Sequence, residues 1–234
     1  MKKAIIFFFI YSLCVNAQSQ NQYFQLYTDS AELKNGNDSM IREFEMMVKK
    51  TQPSFSFNGL STESPNTFMP GQYRSKTNKI YQVTWPTAKP AMGPFLTSVM
   101  GSVEEGEKGA GLFFYGFFFP HEIGHALHYN TKMVPGNNYD AEYEANVIAV
   151  LYWRSKGRHK ELDQCYAMAK KILPKFVNPV PENADAKQYI TEHYNELSQN
   201  PLQYGYIQFS QIVTILEDKS LPDFDTYISK YFPK

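Results

Sequence analysis

Three histidines and a glutamate lie within HEIGHALH, residues 121–128. His121 and His125 are four residues apart, so on a helix their imidazoles lie one above the other and can point at one ion. Zinc favours imidazole nitrogen, and a catalytic zinc site has three protein ligands and a water. Glu122 is one residue further round the helix, where it can take a proton from that water as general base. The pattern predicts one zinc ion per chain and a hydrolytic reaction.

The third ligand is expected on the next predicted helix, residues 140–156, which offers Glu142 and Glu144. Glu142 is followed by Ala145, which lets two helices approach closely, and by Asn146, whose amide can orient a ligand histidine. Glu144 shares its face with large apolar residues and lies near the helix start, where a carboxylate is favourable without a metal. Glu142 is therefore the preferred ligand and Glu144 the alternative.

Further polar residues are candidates for the same site. His128 lies three residues after His125 and is an alternative fourth ligand, although such a histidine is more often a hydrogen-bonded core residue. Hydrolysis at a carbonyl also needs a hydrogen-bond donor for the oxyanion. The segment 192–209 is rich in Tyr, Gln and Asn, and forms either the far wall of a cleft or a helix pair joined by hydrogen bonds. The candidate donors are His193, Tyr204 and Tyr206, with Tyr129 and Tyr139 closer to the motif.

Taken together, HEIGHALH and EYEAN resemble the active-site motifs of the gluzincins, the zinc metallopeptidases with an HExxH motif and a downstream glutamate. Within them, residues 121–146 are most similar to the ImmA/IrrE-like and M48-like groups, whose downstream motif has the form E-x-x-A-[DN]. The resemblance implies that His121, His125 and Glu142 are the zinc ligands. It implies that Glu122 is the catalytic glutamate and that the substrate is a peptide or protein. It also implies a zincin-like core with an HExxH helix, a Glu-bearing helix and a small N-terminal sheet.

Two other functions use the same residues. A non-catalytic protein on a zincin scaffold would bind zinc as a structural ion or not at all, but it has no need of a carboxylate at Glu122. A zinc hydrolase of a non-peptide amide or ester would use the same constellation. A secreted zinc-dependent peptidase is the preferred hypothesis.

The N-terminus, MKKAIIFFFIYSLCVNAQSQ, predicts a secretory signal peptide. Lys2 and Lys3 form a basic start, and residues 4–13 form an apolar run that is short for a membrane span. We expect cleavage after Ala17 and export to the periplasm or the cell exterior. An uncleaved anchor and a lipoprotein signal at Cys14 are the alternatives.

The remainder, residues 18–234, suits a single domain, because the chain has 234 residues with 43% hydrophobic and 20% charged residues. The formal net charge is +0 and no basic stripe occurs, so nucleic-acid binding is not expected. The apolar run at 109–120 is about half the length of a membrane span, so we expect no stable span in the mature chain. The oligomeric state is not indicated.

Hydrophobic periodicity predicts a mostly helical α+β protein with few strands. One strand is expected over 79–85, a further short strand at 54–57, and a loop over 86–94, where Pro and Gly are scattered. Pro120 either begins the HExxH helix or lies inside a longer one. Helices are expected over 39–50, 121–129, 140–156, 160–173, 184–199, 203–218 and 223–231.

Overall fold

The computed structural model describes residues 23–232, so the predicted signal peptide lies outside the described residues. The described chain is mostly helical with one small sheet, which confirms the α+β prediction. The helices are α1 (Ser30–Thr51), α2 (Trp85–Met100), α3 (Val103–Gly109), a π-helix (Ala110–Phe117), α4 (Phe118–Thr131), α5 (Asn138–Ser155), α6 (His159–Ile172), a 3₁₀ turn (Leu173–Lys175), α7 (Ala186–Leu197), α8 (Pro201–Glu217) and α9 (Phe224–Ser229).

The sheet lies early in the chain and is built from three short strands, β1 (Ser61–Glu63), β2 (Gln72–Arg74) and β3 (Lys79–Tyr81). Their order is β1-β3-β2, with β1 parallel and β2 antiparallel to the central β3. The predicted strand over 79–85 is therefore shorter than expected, because α2 begins at Trp85. Residues 54–57 do not form a strand. Because β2 pairs with β3 alone, it is an edge strand.

The prediction of a loop over 86–94 was wrong, because these residues belong to α2. Pro86 lies in the first turn, where a missing N–H costs nothing. Pro90 and Pro94 follow at four-residue intervals, and all three prolines are on the exposed face of the helix. The carbonyl groups that these prolines leave without a partner therefore face water.

Helix α1 begins nine residues before its predicted start at residue 39. Asp29 caps it by accepting a hydrogen bond from the backbone N–H of Glu32, at 2.8 Å. The additional turns bury a polar residue, Asn37, whose amide donates to Gln82 at 2.7 Å. Periodicity of apolar residues does not detect a helical turn whose buried position is polar.

Pro120 lies inside a longer helix, because the π-helix runs directly into α4. The wider π turn lets the N–H of Phe118 bond to the carbonyl of Phe113, five residues back. Pro120 has no N–H for the carbonyl of Gly116, and the indole N–H of Trp153 donates to that carbonyl instead, at 3.3 Å. The HExxH helix is thus continuous with a buried segment, and Trp153 of α5 is hydrogen-bonded to that segment.

The π-helix is fully buried and forms part of the core. Cys165 packs beside it, with its thiol 3.9 Å from the carbonyl of Leu112. Within residues 23–232, no helix combines the length and hydropathy needed to cross a membrane.

Helices α4 and α5 approach each other closely because small residues meet at their crossing. A Cβ atom added at Gly124 would lie 3.1 Å from the Cα of Ala145 and 3.4 Å from the side chain of Ile148. Helix α5 begins at Asn138 and is capped by Asn137, which accepts from the N–H of Asp140 at 2.9 Å. The helix therefore begins two residues before its predicted start at residue 140. The close crossing holds the start of α5 against the HExxH turn.

Candidate metal centre

Three side chains converge where α4 crosses the start of α5. The Nε2 atoms of His121 and His125 are 3.0 Å apart. The Glu142 carboxylate lies 3.3 Å from Nε2 of His121 through Oε2, and 3.8 Å from Nε2 of His125 through Oε1. In tetrahedral zinc sites with bonds of about 2.0–2.1 Å, ligand atoms lie roughly 3.3 Å apart. Together, these three side chains can therefore hold a metal ion.

One side of this triad is open. His121 is 2% exposed and Glu142 is 7% exposed, whereas the side chain of His125 is 19% exposed. Glu122 is also partly exposed. A metal held by three protein groups with one accessible side keeps a position for water or substrate, as catalytic sites do.

Glu122 lies beside the triad and not in it. Its Oε2 accepts a hydrogen bond of 2.6 Å from the backbone N–H of Tyr73, in the edge strand β2. Burial raises the pKa of Glu122 above its usual value, against the opposing effect of the two nearby histidines. A carboxyl group with a raised pKa is better matched to proton transfer near neutral pH.

Asn146 is one turn beyond Glu142 and contacts the back of the first histidine. Its Oδ1 lies 2.8 Å from Nδ1 of His121. Its Nδ2 donates to the side-chain oxygens of Gln208 and Gln211 in α8, each at 3.0 Å. The structure therefore places Asn146 where it orients His121, and not His125.

The carboxylate of Glu142 is surrounded by hydrogen-bond donors. Tyr194 donates to Oε1 at 2.6 Å, Gln208 donates to Oε2 at 2.6 Å, and Tyr204 donates to Oε2 at 3.3 Å. Burial acts to raise the pKa of Glu142, but the favourable interactions with the two nearby histidines outweigh it and hold the pKa well below its usual range. Glu142 is therefore ionised and ready to bind a cation.

His125 is affected by the same carboxylate. Burial acts to lower its pKa, but the nearby carboxylate of Glu142 raises it above the ordinary value. A metal and a proton compete for the same nitrogen, so metal binding at this position releases a proton when His125 is charged.

Glu144 and His128 lie in a separate cluster. Glu144 accepts a hydrogen bond from Tyr231 and pairs with Lys230 at 3.0 Å. His128 is hydrogen-bonded to the same Tyr231 hydroxyl at 3.1 Å, and its Nε2 is 3.7 Å from Glu144. Burial lowers the pKa of His128 to about 3, so this ring is neutral. The cluster ties the C-terminal segment to α4 and α5, and neither residue belongs to the group that can hold a metal.

The candidate oxyanion donors separate into one residue at the site and others away from it. Tyr204 contacts Glu142. His193 instead donates from Nδ1 to the backbone carbonyl of Tyr189 at 2.9 Å and stacks on the Tyr189 ring. Tyr206 packs against the main core. Tyr129 packs on Tyr73 with 5.8 Å between ring centroids, and Tyr139 stacks on Tyr143.

Sequence reasoning missed three residues that shape the site, namely Tyr194, Gln208 and Gln211. The two glutamines are each only 3% exposed. A signal was present, because Tyr204, Gln208 and Gln211 follow i, i+4, i+7 spacing and so share one face of the helix, among apolar residues such as Ile207 and Ile215. Polar residues at helical core positions indicate a buried polar partner.

No family model, curated protein or solved structure matches this chain. The resemblance of residues 121–146 to gluzincins therefore stays a hypothesis. The chemistry of the site is what bears on function: two imidazoles and an ionised carboxylate can hold a cation, and a second carboxylate with a raised pKa lies beside them.

Proposed function

We propose that this protein is a zinc-dependent metallopeptidase in which His121, His125 and Glu142 hold the metal and Glu122 is the general base. The observation that carries the proposal is the convergence of three ligand groups beside Glu122, a partly exposed carboxylate that is held by the N–H of Tyr73. Two imidazole nitrogens and one carboxylate oxygen are a donor set that suits zinc. A purely structural zinc site is closed by four protein ligands, and this group has three.

A bound zinc ion would polarise the substrate carbonyl and lower the pKa of an attacking water. Glu122 would accept the proton of that water on its carboxylate, and would later donate it to the leaving amine. The Tyr73 N–H fixes this carboxylate through one oxygen, Oε2, so Oε1 can face the water. The hydroxyl of Tyr204 lies 3.3 Å from Glu142, whereas that of Tyr194 lies 2.6 Å from it. Because its hydrogen bond to Glu142 is the longer one, Tyr204 is the candidate donor for the oxyanion.

The edge strand β2 favours a peptide over a small ester as substrate. The N–H of Tyr73 points to Glu122, so the free side of this strand faces the proposed reaction centre. In a strand, the carbonyl of a residue lies on the same side as its N–H. Because the N–H of Tyr73 already donates to Glu122, an extended peptide can donate a backbone hydrogen bond to the carbonyl of Tyr73, independently of its side chains.

Two further parts of the proposal come from the sequence. We propose that the protein has a zincin-like core. Its parts would be the HExxH helix, the Glu-bearing helix and the antiparallel edge strand. We also propose that the protein is exported, with its signal peptide removed after Ala17.

The test compares peptide hydrolysis by the zinc-loaded wild type with that of Glu122→Gln. The variant removes the base but no ligand, so it should keep its zinc and lose activity by about 10²–10⁴-fold. Glu144→Gln is the matched control, because it makes the same change on the neighbouring cluster and should stay active. A wild type that binds zinc but cleaves no peptide in a broad library would instead indicate the binding protein. Activity on esters or non-peptide amides alone would indicate the other hydrolase.

A further inference from the structure

The buried glutamines of α8 connect the two sides of the metal centre. Gln208 donates from Nε2 to the carboxylate of Glu142 at 2.6 Å, and its Oε1 accepts from Asn146 at 3.0 Å. Gln211 donates from Nε2 to the backbone carbonyl of Tyr139 at 3.3 Å, and its oxygen also accepts from Asn146, at 3.0 Å. Both glutamines thus present their oxygen to the same amide nitrogen.

The direction of these hydrogen bonds is fixed by groups that can only accept. The backbone carbonyl of Tyr139 has no proton to donate, and both oxygens of the Glu142 carboxylate already accept from tyrosine hydroxyls. The NH₂ group of Gln208 must therefore face Glu142, and that of Gln211 must face Tyr139. Each glutamine oxygen then points at Asn146, so the amide of Asn146 must present its NH₂ group to both.

The orientation of Asn146 in turn determines the tautomer of His121. With both amide protons directed at the glutamines, Oδ1 of Asn146 faces Nδ1 of His121, at 2.8 Å. That nitrogen must carry the ring proton, because Oδ1 can only accept. In the neutral ring the lone pair of His121 is then on Nε2, the atom that faces His125 and Glu142.

We propose that Gln208 and Gln211 are positioning residues that set the tautomer of His121 and so keep its Nε2 free for the metal. The proposal rests on the metal-binding part of the proposed function and is independent of the substrate. Gln208 has the larger role, since it also holds the ligand carboxylate of Glu142. If both glutamines are lost, the amide of Asn146 is free to turn and offer NH₂ to His121, which favours the tautomer whose Nε2 carries a proton.

The experiment measures zinc affinity by competition with a chelator at fixed pH for Gln208→Met, Gln211→Met and the double variant. Methionine is close in size to glutamine but makes no such hydrogen bonds. Gln208→Met should weaken zinc binding by about 10–100-fold, as loss of an outer partner of a metal ligand does. Gln211→Met should weaken it less, and the double variant should lose more than the product of the two single changes. Gln203→Met, on the same helix but partly exposed, is the control and should bind like the wild type.

Rescue distinguishes positioning from general support of the fold. An aspartate accepts from His121 however its carboxylate turns, so it needs no glutamine to orient it. Asn146→Asp should therefore recover most of the lost affinity in the double-methionine background. In the wild-type background it should weaken binding, because its carboxylate meets two glutamine oxygens. Failure of this rescue, or additive effects of the two methionines, would overturn the proposal.

The tautomer can also be measured without metal. Two-bond ¹H–¹⁵N spectra of the zinc-free protein should show His121 protonated on Nδ1 in the wild type and on Nε2, at least in part, in the double-methionine variant. An Nε2-protonated ring in the wild type would overturn the proposal even if zinc binds. An Nδ1-protonated ring in a protein that binds no zinc would support this proposal and remove the proposed function.

Discussion

Replacing Glu142 by alanine should remove most of the zinc affinity, whereas replacing Glu144 should not. The two residues are two positions apart on α5, yet only Glu142 has carboxylate oxygens near both histidine Nε2 atoms, at 3.3 Å and 3.8 Å. Structural zinc sites bind with about 10–16 kcal/mol over four ligands, or about 2.5–4 kcal/mol for each ligand. The loss expected for Glu142→Ala is therefore on the order of 10²–10³-fold in the dissociation constant.

For Glu144→Ala, the structure predicts a loss of local stability instead. Its carboxylate is held by Tyr231 and Lys230, so truncation leaves the Tyr231 hydroxyl with one partner fewer. A lost hydrogen bond to a charged group costs about 1.5–3 kcal/mol in stability. Zinc affinity should change little, because His128, and not a metal ligand, is the neighbouring ring.

The assay is a competition titration of each purified variant with a chelator of known zinc affinity, at one pH and one salt concentration. Glu142→Gln is a useful third variant, because it keeps the side-chain shape and one oxygen but loses the charge, and should fall between wild type and Glu142→Ala. If Glu144→Ala lost more zinc affinity than Glu142→Ala, the ligand assignment would be wrong.

Three further outcomes are expected. Gly124→Val should lower stability by about 1–3 kcal/mol, because its Cβ would lie 3.1 Å from the backbone of Ala145. In a thermal melt the control is Gly136→Val, since no atom lies within 4 Å of a Cβ at Gly136. Equal melting temperatures of the two variants would contradict the close crossing. His128 has a folded-state pKa of about 3, below its unfolded value of about 6.5, so its contribution to stability is complete above about pH 6.5 and falls by about 1.4 kcal/mol per pH unit as the pH drops from there towards 3. Denaturant titrations at pH 7 and pH 5 should therefore show a loss of about 2 kcal/mol that is absent in His128→Gln; an equal loss in the variant would place the proton elsewhere. N-terminal sequencing of protein from the producing cells should begin near Gln18, and an intact Met1 in the membrane fraction would exclude the proposed cleavage.

The helices that carry the candidate metal site follow from sequence patterns, because their ends and periodicity are local properties. The predicted HExxH helix over 121–129 lies inside α4, and the predicted helix over 140–156 corresponds to α5 within two residues. The small side chain of Ala145 predicted a close approach of the two helices. The structure shows the cause, because Gly124 has no side chain to separate the helix backbones.

Other features depend on contacts between residues distant in the chain, and no local pattern contains them. The prolines of α2 predicted a loop, but they are compatible with a helix because all of them lie on its exposed face. The long π-helix is stabilised by donors from elsewhere, such as the indole of Trp153 and the amide of Gln82, which donates to the carbonyl of Phe114 at 2.6 Å. The contact from β2 to Glu122 is equally non-local, since it joins Tyr73 to a residue 49 positions later.

The most direct test of the account is the zinc content of the purified protein, measured by elemental analysis beside the double variant His121→Ala/His125→Ala. The wild type should contain about one zinc per chain, as three converging ligands predict, and the double variant should contain almost none while keeping its helical circular dichroism. Full zinc occupancy in the folded double variant would place the metal elsewhere, and a wild type that takes up no zinc would contradict the metal centre itself.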